Sequence, residues 1–253
     1  SNTALTVGPK IGYSVISTYN QYTFKFINVI MASDLISKVF GGNYTKVNSD
    51  DDLIFDSSKD KKIPYLVQEN FCGKDLLNVR YEQLWDEAPL PNDNPNDAFR
   101  VIEGDFVTTE DGTGIVHTAP TFGADDAKVA KLANPPIPAL LIEDEDKQLV
   151  PLVDLQGKFR KELGSLGGKF VKNEYYDDND IPQKSVDVEI AIRLKEQNRA
   201  FKVEKYVHSY PNCWRTDKPI LYYPLDSWFI KVTDKKERLV ELNKTINWKP
   251  KST

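Results

Sequence analysis

From Tyr13 the chain alternates apolar and polar positions, first in YSVISTY and then, from Tyr22, in YTFKFINVIMA, with β-branched and aromatic residues throughout. Period-two alternation of this composition predicts two strands, joined near Asn20. Ser33 is placed to cap a short helix whose apolar side is Leu35, Ile36 and Val39 and which Gly41 and Gly42 stop. The polar stretch from Asn48 to Lys62 reads as a surface excursion. Tyr65 to Asn70 reads as a strand, and the proline- and asparagine-rich run from Ala88 to Asp97 as a loop. In FVTTEDGTGIVHTA, from Phe106, two alternating runs flank Asp111-Gly112, a pair that supplies the positive φ angles of a tight turn, so a hairpin is predicted.

Two longer helices follow. ADDAKVAKLAN, from Ala124, has acidic residues in its first turn and ends before Pro135-Pro136. SVDVEIAIRLKEQN has Ser185 as a cap and sets Val186, Ile190 and Leu194 on one face. Strands outnumber helices without β-α-β alternation, which predicts an α+β, β-rich fold: a closed or nearly closed β-barrel core with surrounding helices. Beyond Val207 the chain turns aromatic and turn-rich, and DKKERLVELNKTI then predicts a short helix. A boundary near Tyr206 is expected, dividing residues 1–205 from residues 206–253.

Composition narrows the function classes. With 253 residues, 40% hydrophobic and 28% charged, the chain has the make-up of a soluble globular protein with one sizeable core. No apolar run approaches the ~18–20 residues that span a bilayer, and no basic segment precedes an apolar signal core, so a cytoplasmic location away from membranes is expected. Cys72 and Cys213 form no C-x-x-C, so neither a disulfide framework nor a zinc knuckle is read from them. A formal charge of −5 argues against coating nucleic acid, which requires neutralising many phosphates, though not against gripping a few nucleotides. The basic runs at Lys158, Arg160, Lys161 and at Lys231, Lys235, Lys236, Arg238 read as solvated faces.

The densest chemistry lies in GTGIVHTAPTFGADD, Gly112 to Asp126. His117 ends a predicted strand and Asp126 opens a predicted helix, so a strand–turn–helix brings them to one rim, where sites are commonly built. A structural role is open as well: Asp125 and Asp126 complement a helix dipole, and His117 can be a packed residue. No G-x-S-x-G elbow supplies a nucleophile, the other histidine, His208, sits in a different segment, and one histidine with two carboxylates at this spacing makes no metal site.

GTGIVHTAPTFGADD resembles the editing-site signature of class I isoleucyl-tRNA synthetases, in which G-T-G-x-V-H-x-A-P is followed by F-G or H-G and then an aspartate. HSYPNCWRTDKPILYYPLDSWFI resembles the segment that returns the chain from the inserted editing (CP1) domain towards the catalytic core. SNTALTVGP resembles the residues just after the family's threonine-rich editing peptide. Valyl- and leucyl-tRNA synthetases carry related insertions, but V-H-T-A-P together with HSYPNCWR favours isoleucine. H-I-G-H-like and K-M-S-K-S-like blocks do not occur, and Thr216 stands where some relatives have a second cysteine, which speaks against zinc.

The resemblance implies an editing domain, residues 1–205, followed by a connector, residues 206–253, leading back to the catalytic core. The implied activity is hydrolysis of valine misattached to tRNA(Ile), impaired in this chain where the threonine-rich peptide expected upstream of Ser1 is missing. The alternatives are a noncatalytic module that binds the acylated 3′ end or acts as a spacer, and the editing domain of a valyl or leucyl relative. Implied catalytic-site residues are Asp126, holding the substrate's α-ammonium, and His117, lining the pocket beside the side chain or water. Substrate-binding positions are Asn2, Gly112, Thr113, Gly114, Thr118, Phe122, Gly123 and Asp125. Editing needs no cofactor or metal, whereas ATP and Mg belong to full-length synthetases. The implied partners are the 3′ acceptor end of tRNA(Ile), misattached valine and the remainder of the synthetase in cis, in a monomer. Trp228 and Phe229 are read as packing the connector against that remainder.

Overall fold

The computed structural model describes residues 2–205, 207–225 and 227–249. It divides into two compact units, Ser1–Tyr222 and Tyr223–Thr253. Tyr206, where the sequence pattern changes, lies outside the described residues, and the division falls later in the chain. Residues 207–222 are part of the first unit: Tyr175 donates its hydroxyl hydrogen to the Pro219 carbonyl at 2.6 Å, and Lys172 lies 5.0 Å from the Tyr210 ring centre.

The first unit contains nine strands among its described residues: β1 (Ala4–Val7), β2 (Gly12–Tyr19), β3 (Phe26–Ala32), β4 (Tyr44–Lys46), β5 (Ile63–Cys72), β6 (Arg100–Glu103), β7 (Ile115–Thr118), β8 (Leu141–Glu143) and β9 (Leu149–Pro151). Its α-helices are α1 (Ile36–Val39), α2 (Ala124–Leu132) and α3 (Val186–Glu196). The strands make a three-stranded sheet in the order β6-β1-β7, a four-stranded sheet in the order β3-β2-β5-β4, and the β8-β9 hairpin. The mixed, strand-rich architecture read from the pattern is present. The ladders among the described residues do not join the two larger sheets into the closed barrel that was expected.

The β2-β3 hairpin turns where predicted, with the Asn20 N–H bonded to the Lys25 carbonyl at 2.8 Å. Ser33 does not cap a helix. Its hydroxyl lies 2.8 Å from that of buried Ser14, which gives its own hydrogen to Asn70, so Ser33 is the donor to Ser14 and a short 3-10 turn leads into α1. Ser185 does cap α3, accepting from the Val188 N–H at 3.4 Å.

The hairpin predicted across Asp111-Gly112 is not formed. β7 pairs antiparallel with β1, and β6 pairs parallel on the other side of β1, while residues 104–110 form no strand. The glycine turn is satisfied across the sheets instead: the Ala32 N–H donates to the Thr113 carbonyl at 2.8 Å, and the buried Tyr13 hydroxyl donates to the Gly114 carbonyl at 2.6 Å. Gly114 has φ +72° and would bring a Cβ to 2.5 Å from that of Ala32, whereas Gly112, at φ +74°, faces open space.

Four apolar clusters organise the interior of this unit. α2 packs Ala130 on Ala4 and Ile102, and the β8-β9 layer gathers Leu140, Ile142, Leu152, Leu163, Leu166 and Val186. Segment 85–88 is fastened to α3 by Arg193, which stacks 4.2 Å from the Trp85 ring centre and pairs with Asp86 at 2.9 Å and Glu87 at 2.5 Å. Glu87 also accepts from the Ser165 backbone N–H at 2.7 Å. That bond, the Ser165 hydroxyl and the Arg193 bond hold its carboxyl down to about 2. In the second unit, a 3-10 turn at Val232–Lys235 precedes α4 (Lys236–Lys244), and Trp228, Phe229 and Ile230 are exposed. No helix among the described residues is long and apolar enough to cross a membrane.

Two stability outcomes follow. Gly112→Ala costs about 1–2 kcal/mol through its left-handed backbone alone, and Gly114→Ala about 2–4 kcal/mol because a close contact adds to the same strain, measured by urea denaturation. Glu87 ionises more readily folded than unfolded, so its contribution is complete above the unfolded value of ~4.3 and is lost as pH falls through the folded one. The difference in Tm between the unsubstituted chain and Glu87→Gln is therefore flat above roughly pH 5 and closes towards about pH 2.

Candidate functional site

Alternation along the β1-β7 ladder decides what each residue faces. Leu5 is paired with His117, and Ala4 with Thr118, so Leu5 and His117 share one face while Ala4, Thr6, Val116 and Thr118 share the other. On the second face the Thr6 and Thr118 hydroxyls meet, both buried, at 2.5 Å. The first face opens on a cavity of about 540 Å³. Its apolar wall comes from the β8-β9 layer and α3, including Leu140, Leu152, Phe159, Ile190 and Leu194, and from Leu84 and Trp85. Its polar part is Asn2, Tyr81, Glu82, Gln83 and exposed His117. A mostly apolar concavity with a few convergent polar groups is the usual form of a small-molecule site.

Beyond Thr118 the chain makes a tight turn into α2. The N–H groups of Phe122 and Gly123 donate to the Ala119 carbonyl at 3.0 and 3.1 Å. From the first turn of α2, Asp126 reaches back and accepts the Ala119 N–H through Oδ2 at 2.9 Å. A Cβ on Gly123 would lie 2.6 Å from that oxygen, so only glycine leaves the clamp intact. Among the described residues no hydrogen bond reaches Asp126 Oδ1. The turn thus offers a carboxylate with one oxygen fixed and the other available to a cation.

Asn2, His117 and Phe122 are brought together in the cavity wall. Asp126 and Gly123 belong to the turn that follows β7, and Asp126 stands outside the wall itself, while Thr118 ends that strand with its hydroxyl on Thr6, on the face turned away from the cavity. Asp125 is exposed in the first turn of α2. Gly112, Thr113 and Gly114 lie at the other end of β7, outside the cavity wall, with Thr113 and Gly114 docked on Ala32 and Tyr13. Among the described residues no group of three or more histidine, cysteine or carboxylate side chains could hold a metal.

Sequence reasoning did not reach Tyr81, Trp85, Leu140, Leu152 or Phe159, all in the cavity wall. Only Ile190 and Leu194 carried a signal, as the apolar face of a helix. Tyr81 is fixed by partners distant in sequence, donating its hydroxyl hydrogen to Asn2 Oδ1 at 2.6 Å, and no local pattern marks it.

No family model matches the chain. It is 54% identical over 265 residues to the isoleucine–tRNA ligase of Cytophaga hutchinsonii, a match covering 100% of this chain and 23% of that protein. It is 49% identical over 270 residues to the isoleucine–tRNA ligase of Bacteroides fragilis, with the same coverage. A more distant isoleucine–tRNA ligase, from Clostridium tetani, is 34% identical over 251 residues. Among solved structures, the crystal structure of GlLeuRS-CP1 superimposes with a TM-score of 0.41 at 17% identity, covering 83% of this chain and 78% of that one. The chain spans about a quarter of the length of these two curated relatives, 23% in both. Over that length, it belongs to the isoleucine–tRNA ligase family.

Proposed function

We propose that the chain is the editing domain of an isoleucine–tRNA ligase and hydrolyses the ester that joins misattached valine to the 3′ end of tRNA(Ile). The observation that supports this reading is the turn after β7, in which Asp126 accepts the Ala119 N–H through Oδ2 close in sequence to His117 and Phe122 of the cavity wall. The chemical need is clear. One methylene distinguishes isoleucine from valine and is worth only about 1–3 kcal/mol in a binding pocket, a limit for which isoleucyl-tRNA synthetase is itself the standard example. A second site that accepts the smaller amino acid removes the error.

In this reading Asp126 Oδ1 takes the α-ammonium of valine, a charge-assisted bond that fixes the ester without attacking it. His117 lines the approach to the ester, beside the amino-acid side chain or the water. Water adds to the valyl carbonyl carbon, the bond to the ribose oxygen breaks, and that oxygen leaves with a proton. The products are valine and tRNA with a free terminal ribose hydroxyl. An aminoacyl ester is already activated, so positioning supplies much of the acceleration. The apolar wall receives the side chain and the less polar parts of the terminal adenosine. The remaining partners are the rest of the ligase in cis, which carries the aminoacylation chemistry with ATP and Mg and the main grip on tRNA, in a cytoplasmic monomer. Trp228 and Phe229 belong to the connector towards it.

The test is hydrolysis of valyl-tRNA(Ile) and isoleucyl-tRNA(Ile) by the 253-residue chain, and by the chain extended upstream through the threonine-rich peptide. Valine-selective turnover by either supports the reading; turnover by neither leaves a noncatalytic binding or spacer module. Asp126→Asn keeps an acceptor for the Ala119 N–H but replaces the other, charged oxygen with an uncharged amide NH2, which cannot accept from an ammonium. It is expected to lower kcat/KM for valyl-tRNA about 10–100-fold with little change in Tm, as loss of a charged hydrogen bond does.

A further inference from the structure

Asn2 stands at the head of β1 in the cavity wall, and the orientation of its side-chain amide follows from its neighbours. The Ala4 carbonyl lies 2.7 Å from one amide atom, and a carbonyl only accepts, so that atom is Nδ2. The other atom is then Oδ1, and the Tyr81 hydroxyl 2.6 Å away donates to it. With both bonds made, the amide keeps one Nδ2 hydrogen uncommitted. Flipping the amide would set oxygen against the Ala4 carbonyl and turn the Tyr81 hydroxyl into an acceptor.

Tyr81 is itself held firmly. Its N–H donates to the Phe99 carbonyl at 2.9 Å, the Phe99 N–H donates to the Thr3 carbonyl at 2.7 Å, and the Thr3 N–H donates to the Thr118 carbonyl at 3.0 Å. Its ring packs edge-on against Phe99, with centres 5.9 Å apart. Burial pushes the phenol up from its ordinary value, against the smaller opposing effect of the Asn2 bond, so it stays a protonated donor. The tyrosine, the asparagine and the strand that carries His117 are thereby referenced to one run of backbone bonds.

We infer that Tyr81 is a positioning residue whose hydroxyl locks the Asn2 amide so that it turns a hydrogen-bond donor, and not an acceptor, towards the acylated ribose. The group it suits is an acceptor oxygen: the ester carbonyl or a ribose oxygen of the terminal adenosine. This inference rests on the editing function proposed above, and its test separates the two.

Tyr81→Phe keeps the ring and removes the donor. It is expected to lower kcat/KM for valyl-tRNA about tenfold, the value of one misdirected hydrogen bond. In an Asn2→Ala background, where the amide is already gone, the same substitution is expected to change the rate less than about twofold. Equal losses in both backgrounds, or no loss in the first, would overturn the inference while leaving editing intact. A readout without substrate covers the other case: in the NMR spectrum, Tyr81→Phe is expected to speed hydrogen exchange of the Asn2 side-chain amide about tenfold, without matching acceleration of the β1 backbone amides. An unchanged Asn2 amide overturns the positioning role whatever the substrate. Faster amide exchange in a chain that, with or without the upstream extension, does not hydrolyse valyl-tRNA preserves that role and removes the editing reading instead.

Discussion

Everything at the candidate site depends on the four residues of β1, which must hydrogen-bond on both sides at once. β6 takes one side in parallel and β7 the other in antiparallel, so β1 is a central strand with no free edge. Its small and β-branched residues suit that place: Ala4 and Thr6 turn to the face that packs on α2 and carries the Thr6–Thr118 hydroxyl pair, and Leu5 turns to the cavity. A buried hydroxyl without a partner is costly, so the 2.5 Å pair joins its two strands in one alignment as well as satisfying both groups. His117 and Asn2 reach the cavity because this alignment holds.

The cavity also needs a second support. Its far wall belongs to the β8-β9 layer and α3, and segment 85–88 bridges to that wall through Arg193. The bridge is polar and partly exposed while the wall is apolar, which divides the work: apolar burial stabilises the layer, and the ionic contacts orient its rim. Surface ion pairs alone contribute little, but a guanidinium shared by two carboxylates and stacked on an indole is geometrically restricted in a way a single pair is not.

Local pattern carried much of this into view before any coordinates. β2, β3, β5, α2 and α3 follow from periodicity, capping and turn residues because their partners are near in sequence or their apolar faces are regular. β7 was also visible as a strand, but its partner was not. Asp111-Gly112 is a local turn signal, and choosing β1 over the preceding residues is a long-range decision made by docking the glycine turn on Ala32 and Tyr13. The same limit applies to the site. His117, Phe122 and Asp126 sit in one dense motif and could be picked out, whereas Tyr81 and Trp85 enter through tertiary packing alone. Gly114 needs its positive φ where it docks on Ala32 and Tyr13, and such a glycine reads the same in sequence whether it faces a ligand or another sheet.

The pairing of Leu5 with His117 has a consequence for how this region can change over time. Side chains alternate along a strand, so inserting or deleting one residue between the glycine turn and Ala119 would turn His117 towards α2 and bring a neighbour to the cavity. Substitutions at these positions can act by degrees. A length change reverses inside and outside in a single step, so the spacing of the segment is under tighter constraint than the identity of most of its residues.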